Sequence, residues 1–176
     1  MRNAILLLTL ALSQAVLLAQ PAGGLTWKMP ADWRAAPARP MRAATYTVLS
    51  APGDKDPAEC GIFFFGAGQG GSVDDNIERW RSQILGPEGK PAMAKIDKRV
   101  ARGMNITLVD SSGAYTGMGG PMSASSSGVP GYRLLGAVVQ GPGGNNIFVK
   151  FTGPAKTIAA NQQKFEELLS SFQAQK

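Results

Sequence analysis

The chain has 176 residues and a formal net charge of +6, and 44% of its residues are hydrophobic while 17% are charged. This balance is typical of one globular domain and excludes a disordered chain. The chain contains no histidine, which excludes Ser-His-Asp and Cys-His catalytic systems and the commonest zinc sites.

Residues 1–19 are predicted to form a signal peptide, because Arg2 is followed by an apolar run from Ala4 to Ala19 and then by Pro21. The run has about 16 residues, or roughly 24 Å of helix, and is therefore shorter than the ~30 Å hydrocarbon core of a membrane. We expect cleavage near Ala19, no stable membrane anchor afterwards, and an exported protein that is periplasmic or secreted. An uncleaved anchor is the alternative.

The remaining chain is predicted to be one domain, because no repeat or linker divides it. Residues 20–24 are expected to be a flexible mature N-terminus, residues 25–172 a single α+β domain, and residues 173–176 a C-terminal tail.

Three strands are predicted early in the domain, at residues 25–27, 42–49 and 60–65. The last of them is apolar on both faces, which favours a central position in a sheet. Cys60 lies in this strand and is the only cysteine of the chain, so it cannot form an internal disulfide. We expect a buried, unreactive thiol.

The clearest helix is predicted to begin after Ser72. The Ser72 hydroxyl can accept a bond from the Asp75 amide while the Asp75 carboxylate reaches back to Ser72, which makes a capping box. The helix is expected to end at Gly86. Its apolar stripe should face the sheet and consists of Val73, Ile77, Trp80 and Ile84.

The second half of the domain is predicted to contain two hairpins and a terminal helix. The hairpins pair residues 95–100 with 105–109 and residues 132–139 with 147–152. Tyr115 is expected on a continuation of the second strand, and the segment Gly117–Gly131, rich in Gly and Ser, is expected to be a mobile loop. The helix starts at Pro154, and its apolar face consists of Ile158, Phe165, Leu168, Leu169 and Phe172.

These elements predict an α+β fold with a single, mainly antiparallel β-sheet of about six strands and helices packed on it. Between residues 25 and 172, the chain resembles a family of uncharacterised exported bacterial proteins, in the segments LTWKMPADW, MRAATYTV, AECGIFFFGAGQGGSVDDNIERWRSQ, GAYTG, GYRLLGAVVQ and FVKFTGPAKTI. The early strand-Pro-Trp element and the closing helix are also similar to the PsbP-like fold group. That resemblance implies an α/β/α sandwich, and neither resemblance implies a catalytic residue.

The segment Gly66–Gly71 follows a strand and matches the G-x-G-x-x-G pattern of dinucleotide-binding loops. Asp74 and Asp75 in the first helical turn would repel a phosphate, and Ser72 stands where a phosphate-binding loop needs lysine. We therefore interpret the segment as a glycine-rich turn and predict no cofactor.

No set of side chains in the sequence predicts a catalytic or metal site. Among the carboxylates, Asp110 and Glu59 are the candidates for a hydrolase, and two acids meeting in a concave pocket beside Asp110 would favour that alternative. Thioethers can hold Cu(I), so a copper-binding protein is a second alternative, with Met118 and Met122 as ligands and Met93 and Met104 nearby.

Basic residues are concentrated between Arg79 and Arg102. The cluster consists of Arg79, Arg81, Lys90, Lys95, Lys98, Arg99 and Arg102, against the acids Glu88 and Asp97. It could attract an anionic surface or serve as a solvated face that keeps the protein soluble. Because it lacks interleaved aromatic residues other than Trp80, nucleic acid is not expected as a partner. The leading hypothesis is a non-enzymatic binding or assembly module of the bacterial cell envelope, whose partner is another envelope protein or an anionic surface.

Overall fold

The structure, a computed structural model, describes residues 20–117 and 128–175. The predicted signal peptide and most of the predicted loop Gly117–Gly131 lie outside these residues. The described residues form the strands β1 (Gln20–Ala22), β2 (Leu25–Trp27), β3 (Arg34–Ala35), β4 (Ala44–Val48), β5 (Ala58–Phe63), β6 (Ile84–Leu85), β7 (Ala94–Ala101), β8 (Met104–Tyr115), β9 (Val129–Gln140), β10 (Asn146–Pro154) and β11 (Gln173–Ala174), and the helices α1 (Val73–Arg81), α2 (Ala155–Ala160) and α3 (Gln162–Ser171). None of these helices is long and apolar enough to cross a membrane.

Eight of the strands form one sheet in the spatial order β3-β4-β5-β10-β9-β8-β6, with β7 also paired to β8. Every neighbouring pair is antiparallel. The predicted α+β fold with a mainly antiparallel sheet is confirmed, but the predictions of about six strands and of a single sheet were wrong, because β2 belongs to a second, three-stranded sheet. The additional strands, β3 and β6, have two residues each, which is too short to leave an alternating pattern in the sequence.

Helices cover both faces of this sheet. On the face that we call the α3 face, α2 and α3 pack over a large apolar cluster that includes Phe151, Phe165 and Leu168. On the opposite face, the α1 face, α1 packs over a smaller cluster around Trp80 and Phe148. The central strand β10 contributes to both clusters, because its successive side chains alternate between the two faces.

Both ends of the described chain join a small three-stranded sheet with the order β1-β2-β11. The sequence predicts a flexible segment at 20–24 and a tail at 173–176, whereas Gln20–Ala22 and Gln173–Ala174 each pair with β2. Trp27 of β2 stacks on Phe172 with ring centroids 5.3 Å apart. Backbone pairing and this aromatic contact hold both ends against the α3 face.

Helix α1 begins as the sequence predicts, with both bonds of the Ser72–Asp75 capping box formed. It ends at Arg81 rather than at Gly86, because Ile84 leaves the helix and pairs with Tyr115 as part of β6. Trp80 nevertheless faces the sheet and is 5% exposed. Its ring lies on Gly136, where a Cβ atom would be 2.4 Å from the indole, so the absence of a side chain at position 136 lets the helix approach the sheet.

The predicted terminal helix is divided at Asn161 into α2 and α3. The side-chain amide of Asn161 donates to the Thr157 carbonyl and its oxygen accepts a bond from the Trp33 indole, at 3.2 Å. The predicted apolar residues Ile158 and Phe165 are still buried against the same face of the sheet, because the break changes the helix path without turning its apolar side outward.

Candidate functional site

A polar pocket opens on the α1 face of the sheet. Its volume is about 220 Å³. It is lined by side chains from β5, β8, β9 and β10 and by the segment before β4, and we call it the Lys150 pocket. Its residues are Arg42, Pro57, Glu59, Gly61, Phe63, Tyr115, Tyr132, Lys150 and Thr152.

Lys150 lies at the centre of this pocket because of the alternation along β10. The neighbours Val149 and Phe151 enter the apolar cluster of the α3 face, so the lysine must point to the α1 face. Its side chain is 7% exposed, and a charged lysine at such a depth is rare unless it is paired.

The Lys150 ammonium group has neutral hydrogen-bond partners. Nζ donates to the Gln83 side-chain oxygen and to the Tyr115 hydroxyl, the latter at 2.9 Å. No carboxylate of residues 20–117 and 128–175 lies within ion-pair distance of it. Burial, followed by the nearby charge of Arg42, lowers the pKa of Lys150 from 10.5 to about 8, against the opposing attraction of Glu59.

Arg42 and Glu59 form an ion pair at the rim of the pocket, with a guanidinium nitrogen 2.6 Å from Oε1. Glu59 also accepts a bond of 2.9 Å from Arg39. The Arg42 guanidinium lies over the Phe63 ring, 5.2 Å from its centroid. These contacts hold the Glu59 carboxylate in place between two arginines.

Two stacked tyrosines form the wall opposite this pair. The rings of Tyr115 and Tyr132 are nearly parallel, with centroids 5.7 Å apart. Burial raises the pKa of Tyr115, and nearby Glu59 raises it further. Because the Tyr115 oxygen accepts a bond from Lys150, the O–H proton remains available for another acceptor. The Thr152 hydroxyl, also in the pocket, is buried and has no hydrogen-bond partner within residues 20–117 and 128–175.

The pocket therefore combines one buried cation with unused hydroxyl donors and an aromatic wall. Perturbed titratable groups in a concave site are the usual marks of a ligand-binding or catalytic site. A groove of about 380 Å³ lies between the start of α1 and the β7–β8 hairpin and is larger than the Lys150 pocket. We favour the Lys150 pocket because the groove carries exposed charges and no buried charged group.

The two carboxylates singled out from the sequence lie on opposite faces of the sheet. Glu59 belongs to the Lys150 pocket on the α1 face. Asp110 lies on the α3 face, where both of its oxygens accept bonds from Arg133, at 2.8 and 2.7 Å. The structure therefore separates the carboxylates that the sequence offered for a hydrolase.

Asp110 does border a shallow groove of about 100 Å³ together with Asp97 and Glu166. Three acids thus line one concavity, which is the arrangement that the hydrolase alternative needs. However, Asp110 is held by Arg133, and Glu166 forms an ion pair with Arg99. Both of these acids are therefore engaged in ion pairs with arginine.

The methionine alternative gains no support from the described residues. Met118 and Met122 lie outside residues 20–117 and 128–175. Met104 is buried in the apolar cluster of the α3 face, whereas Met93 is 96% exposed. Of the four methionines considered for copper, the two that lie in the described residues therefore do not converge.

The glycine-rich segment Gly66–Gly71 forms the turn between β5 and α1. Gly70 has a φ of +91°, and a Cβ atom there would lie 2.5 Å from the Phe148 ring. The strand after α1 is β6, which pairs antiparallel to β8 and is not a neighbour of β5. The glycine at position 70 is thus explained by close packing and by a backbone conformation that L-residues rarely adopt.

The basic cluster does not form one face. Arg81, Lys90 and Arg99 are paired with Glu78, Glu88 and Glu166. Lys95 and Lys98 lie on opposite sides of β7, since their partners in register are Asp110 and Thr107. This distribution resembles a solvated surface more than a single basic patch that docks an anionic partner.

Cys60 is fully buried in the cluster of the α3 face. Burial raises the pKa of its thiol above the ordinary value, with a smaller contribution from Glu59. The thiolate that would act as a nucleophile is therefore disfavoured.

Sequence reasoning missed Lys150, Tyr115 as its partner, and Gln83. One signal was present: Lys150 interrupts the apolar strand IFVKF. A lone lysine at an inward position of a strand either reaches the solvent, when the strand is at the edge of the sheet, or is buried, when the strand is central. The choice depends on whether β10 is central, and the segment by itself does not decide that.

No family model matches the sequence, and no curated protein does either. The solution structure of cyanobacterial PsbP (CyanoP) from Synechocystis sp. PCC 6803 is similar, with a TM-score of 0.50 and 14% identity over 86% of this chain and 87% of that chain. The protein of unknown function PA94 from Pseudomonas aeruginosa has a TM-score of 0.49 and 10% identity over 72% of this chain and 78% of that chain. At such identities a likeness concerns the fold alone. The likeness to CyanoP confirms the PsbP-like fold that the sequence resemblance implies.

Proposed function

We propose that the chain is a non-enzymatic binding module of the bacterial cell envelope and that its ligand occupies the Lys150 pocket. The observation that carries this proposal is the placement of Lys150. A lysine that is 7% exposed and whose hydrogen-bond partners in the described part of the chain are all neutral costs folding free energy. Groups of this kind cluster at functional sites, where a ligand supplies the missing interaction.

The positions and the arginine contacts of the carboxylates favour binding over hydrolysis. A glycosidase-type or protease-type acid pair needs two carboxyl groups beside one pocket, with at least one of them protonated. Glu59 and Asp110 are on opposite faces, and each accepts bonds from arginine. Both oxygens of each carboxylate, which a hydrolase would present to its substrate or to water, are thus occupied by arginine.

The proposed pocket can be tested by recovering the ligand from its own compartment. The wild-type protein, purified from the host envelope, is expected to carry a small molecule that mass spectrometry detects. Thr152→Trp should lose it, because the indole would enter the pocket. Lys98→Trp, at an exposed position of β7, should retain it. The proposal is contradicted if Thr152→Trp, shown to be folded by circular dichroism, carries the same compounds as the wild type.

Export is supported by residues 1–19 and has its own test. Expression of the full chain in a Gram-negative host should give a periplasmic protein whose N-terminus begins near Gln20. Mass spectrometry of the fractionated cells would measure this. A full-length chain in the membrane pellet would establish the uncleaved anchor instead, and an uncut chain in the cytoplasm would remove the export proposal.

A further inference from the structure

The Lys150 pocket carries an excess of one positive charge among its lining residues. Lys150 and Arg42 contribute two cations and Glu59 one anion, and the Glu59 carboxylate pairs with Arg42 at 2.6 Å and with Arg39, outside the lining, at 2.9 Å. The uncompensated charge is therefore that of the buried ammonium group. A negative charge placed beside it would supply the ion pair that the ammonium group lacks among the described residues.

The donors around Lys150 fit an oxygen ligand with two acceptor atoms. Nζ has three N–H groups and uses two of them on Gln83 and Tyr115, so one remains. Among the described residues, the Tyr115 O–H has no acceptor and the buried Thr152 hydroxyl has no partner. Hydrogen bonds from such donors to a carboxylate are shorter and roughly twice as strong as bonds between neutral groups.

The remaining walls are apolar or aromatic. Phe63 lies under the Arg42 guanidinium, and the Tyr115 and Tyr132 rings are stacked in parallel. Such walls suit the hydrocarbon or aromatic body of a small ligand, while the polar groups orient its charged end.

We propose that the Lys150 pocket binds a monocarboxylate, with the carboxylate on the Lys150 ammonium group and the apolar body against the tyrosines and Phe63. This inference rests on the proposed binding function and gives its ligand a chemical class. The carboxylate can belong to a free small molecule or to the C-terminus of a peptide, because the pocket recognises the group that the two share. A phosphate carries between one and two charges at neutral pH, and Glu59 opposes the additional charge.

Binding is coupled to the protonation of Lys150. The groups that face the ammonium are Arg42, Glu59 and Tyr115, with Tyr132 behind Tyr115 and Asp56 next to the Tyr132 hydroxyl. The lowered pKa of Lys150, about 8, means that the free pocket loses its positive charge as the pH rises above about 8. The affinity for a carboxylate should then fall, by about tenfold for each further pH unit.

The test is a calorimetric titration of the residue 20–176 protein with four probes. Benzoate and acetate are monocarboxylates, benzamide is the neutral isostere of benzoate, and inorganic phosphate carries more charge. Benzoate is expected to bind most tightly, with benzamide and phosphate each weaker by about tenfold or more. A capped tripeptide with a free C-terminus, compared with its C-terminal amide, distinguishes a peptide end from a free carboxylate.

Two variants locate the binding. Lys150→Met keeps the approximate length of the side chain and removes the charge. It should weaken benzoate binding by about tenfold or more and benzamide binding by less, because benzamide loses a hydrogen bond but no ion pair. Lys98→Met removes an exposed lysine and should leave both affinities unchanged. The inference is overturned if benzamide binds as well as benzoate, if phosphate binds more tightly than benzoate, if Lys150→Met has no effect, or if no probe binds at millimolar concentration.

Failure of the monocarboxylate inference can be distinguished from failure of the proposed binding function. If a neutral molecule co-purifies with the wild type and is lost from Thr152→Trp, the binding function stands and the monocarboxylate is wrong. If the same compounds co-purify with the wild type and with Thr152→Trp, the Lys150 pocket is not the binding site.

Discussion

Replacing Trp80 by alanine is expected to lower the free energy of unfolding by about 3–5 kcal/mol. Trp80 is 5% exposed and lies on Gly136, against Val109 and the other residues of the α1 cluster. Alanine would leave a cavity between α1 and the sheet that the backbone at Gly136 cannot fill, because neither position would then carry a large side chain. Urea unfolding of the two proteins measures the difference.

Glu78→Ala is the matched control for this prediction. Glu78 is on the same helix, and its ion pair with Arg81 is exposed to solvent, so its removal should change the stability by less than about 0.5 kcal/mol. A loss of under about 1 kcal/mol in Trp80→Ala would contradict the close packing of α1 on the sheet.

The free energy of unfolding of the wild type, measured relative to Lys150→Met, is expected to rise by about 2–3 kcal/mol between pH 7 and pH 10. The cause is the lowering of the Lys150 pKa from 10.5 to about 8 on folding. Between these two values the unfolded chain holds a proton that the folded protein has released, so stability rises with pH. The cost of the buried charge is fully present below about pH 8 and disappears as the pH approaches 10.5.

The comparison with Lys150→Met is needed because other groups titrate in the same range. Burial raises the pKa of Tyr46 to about 12 and raises that of the Cys60 thiol, so both residues lower the stability of the folded protein at alkaline pH. Their contributions cancel in the difference between the two proteins. If that difference does not change between pH 7 and pH 10, the buried Lys150 charge does not destabilise the folded protein. The Lys150 pocket is then contradicted as a binding site.

Much of the fold could be predicted from local patterns. The Ser72–Asp75 capping box requires only a spacing of three residues, and both of its bonds are formed. The two long hairpins follow from alternating residues on either side of glycine-containing turns. The number of strands in the main sheet was underestimated because β3 and β6 are defined by their partner strands. No pattern within their own two residues marks a strand.

The candidate site could not be predicted in the same way. Lys150 is separated from Tyr115 by 35 positions and from Gln83 by 67, and no motif joins residues at such distances. The sequence directed attention to Asp110, which is held in an ion pair on the other face of the sheet. A carboxylate that follows an apolar segment is visible in a sequence, whereas its arginine partner on the neighbouring strand is not.

What the sequence determined by itself is what depends on neighbours along the chain: the apolar N-terminal run, the helix cap, the alternation of the hairpin strands and the apolar side of the terminal helices. The tertiary structure alone decided which of these surfaces are covered. It placed β10 at the centre of the sheet, and with it a lysine that has no carboxylate partner in the described residues. The physical reason is that periodicity fixes the face on which a side chain lies, while burial and pKa depend on what the rest of the fold brings against that face.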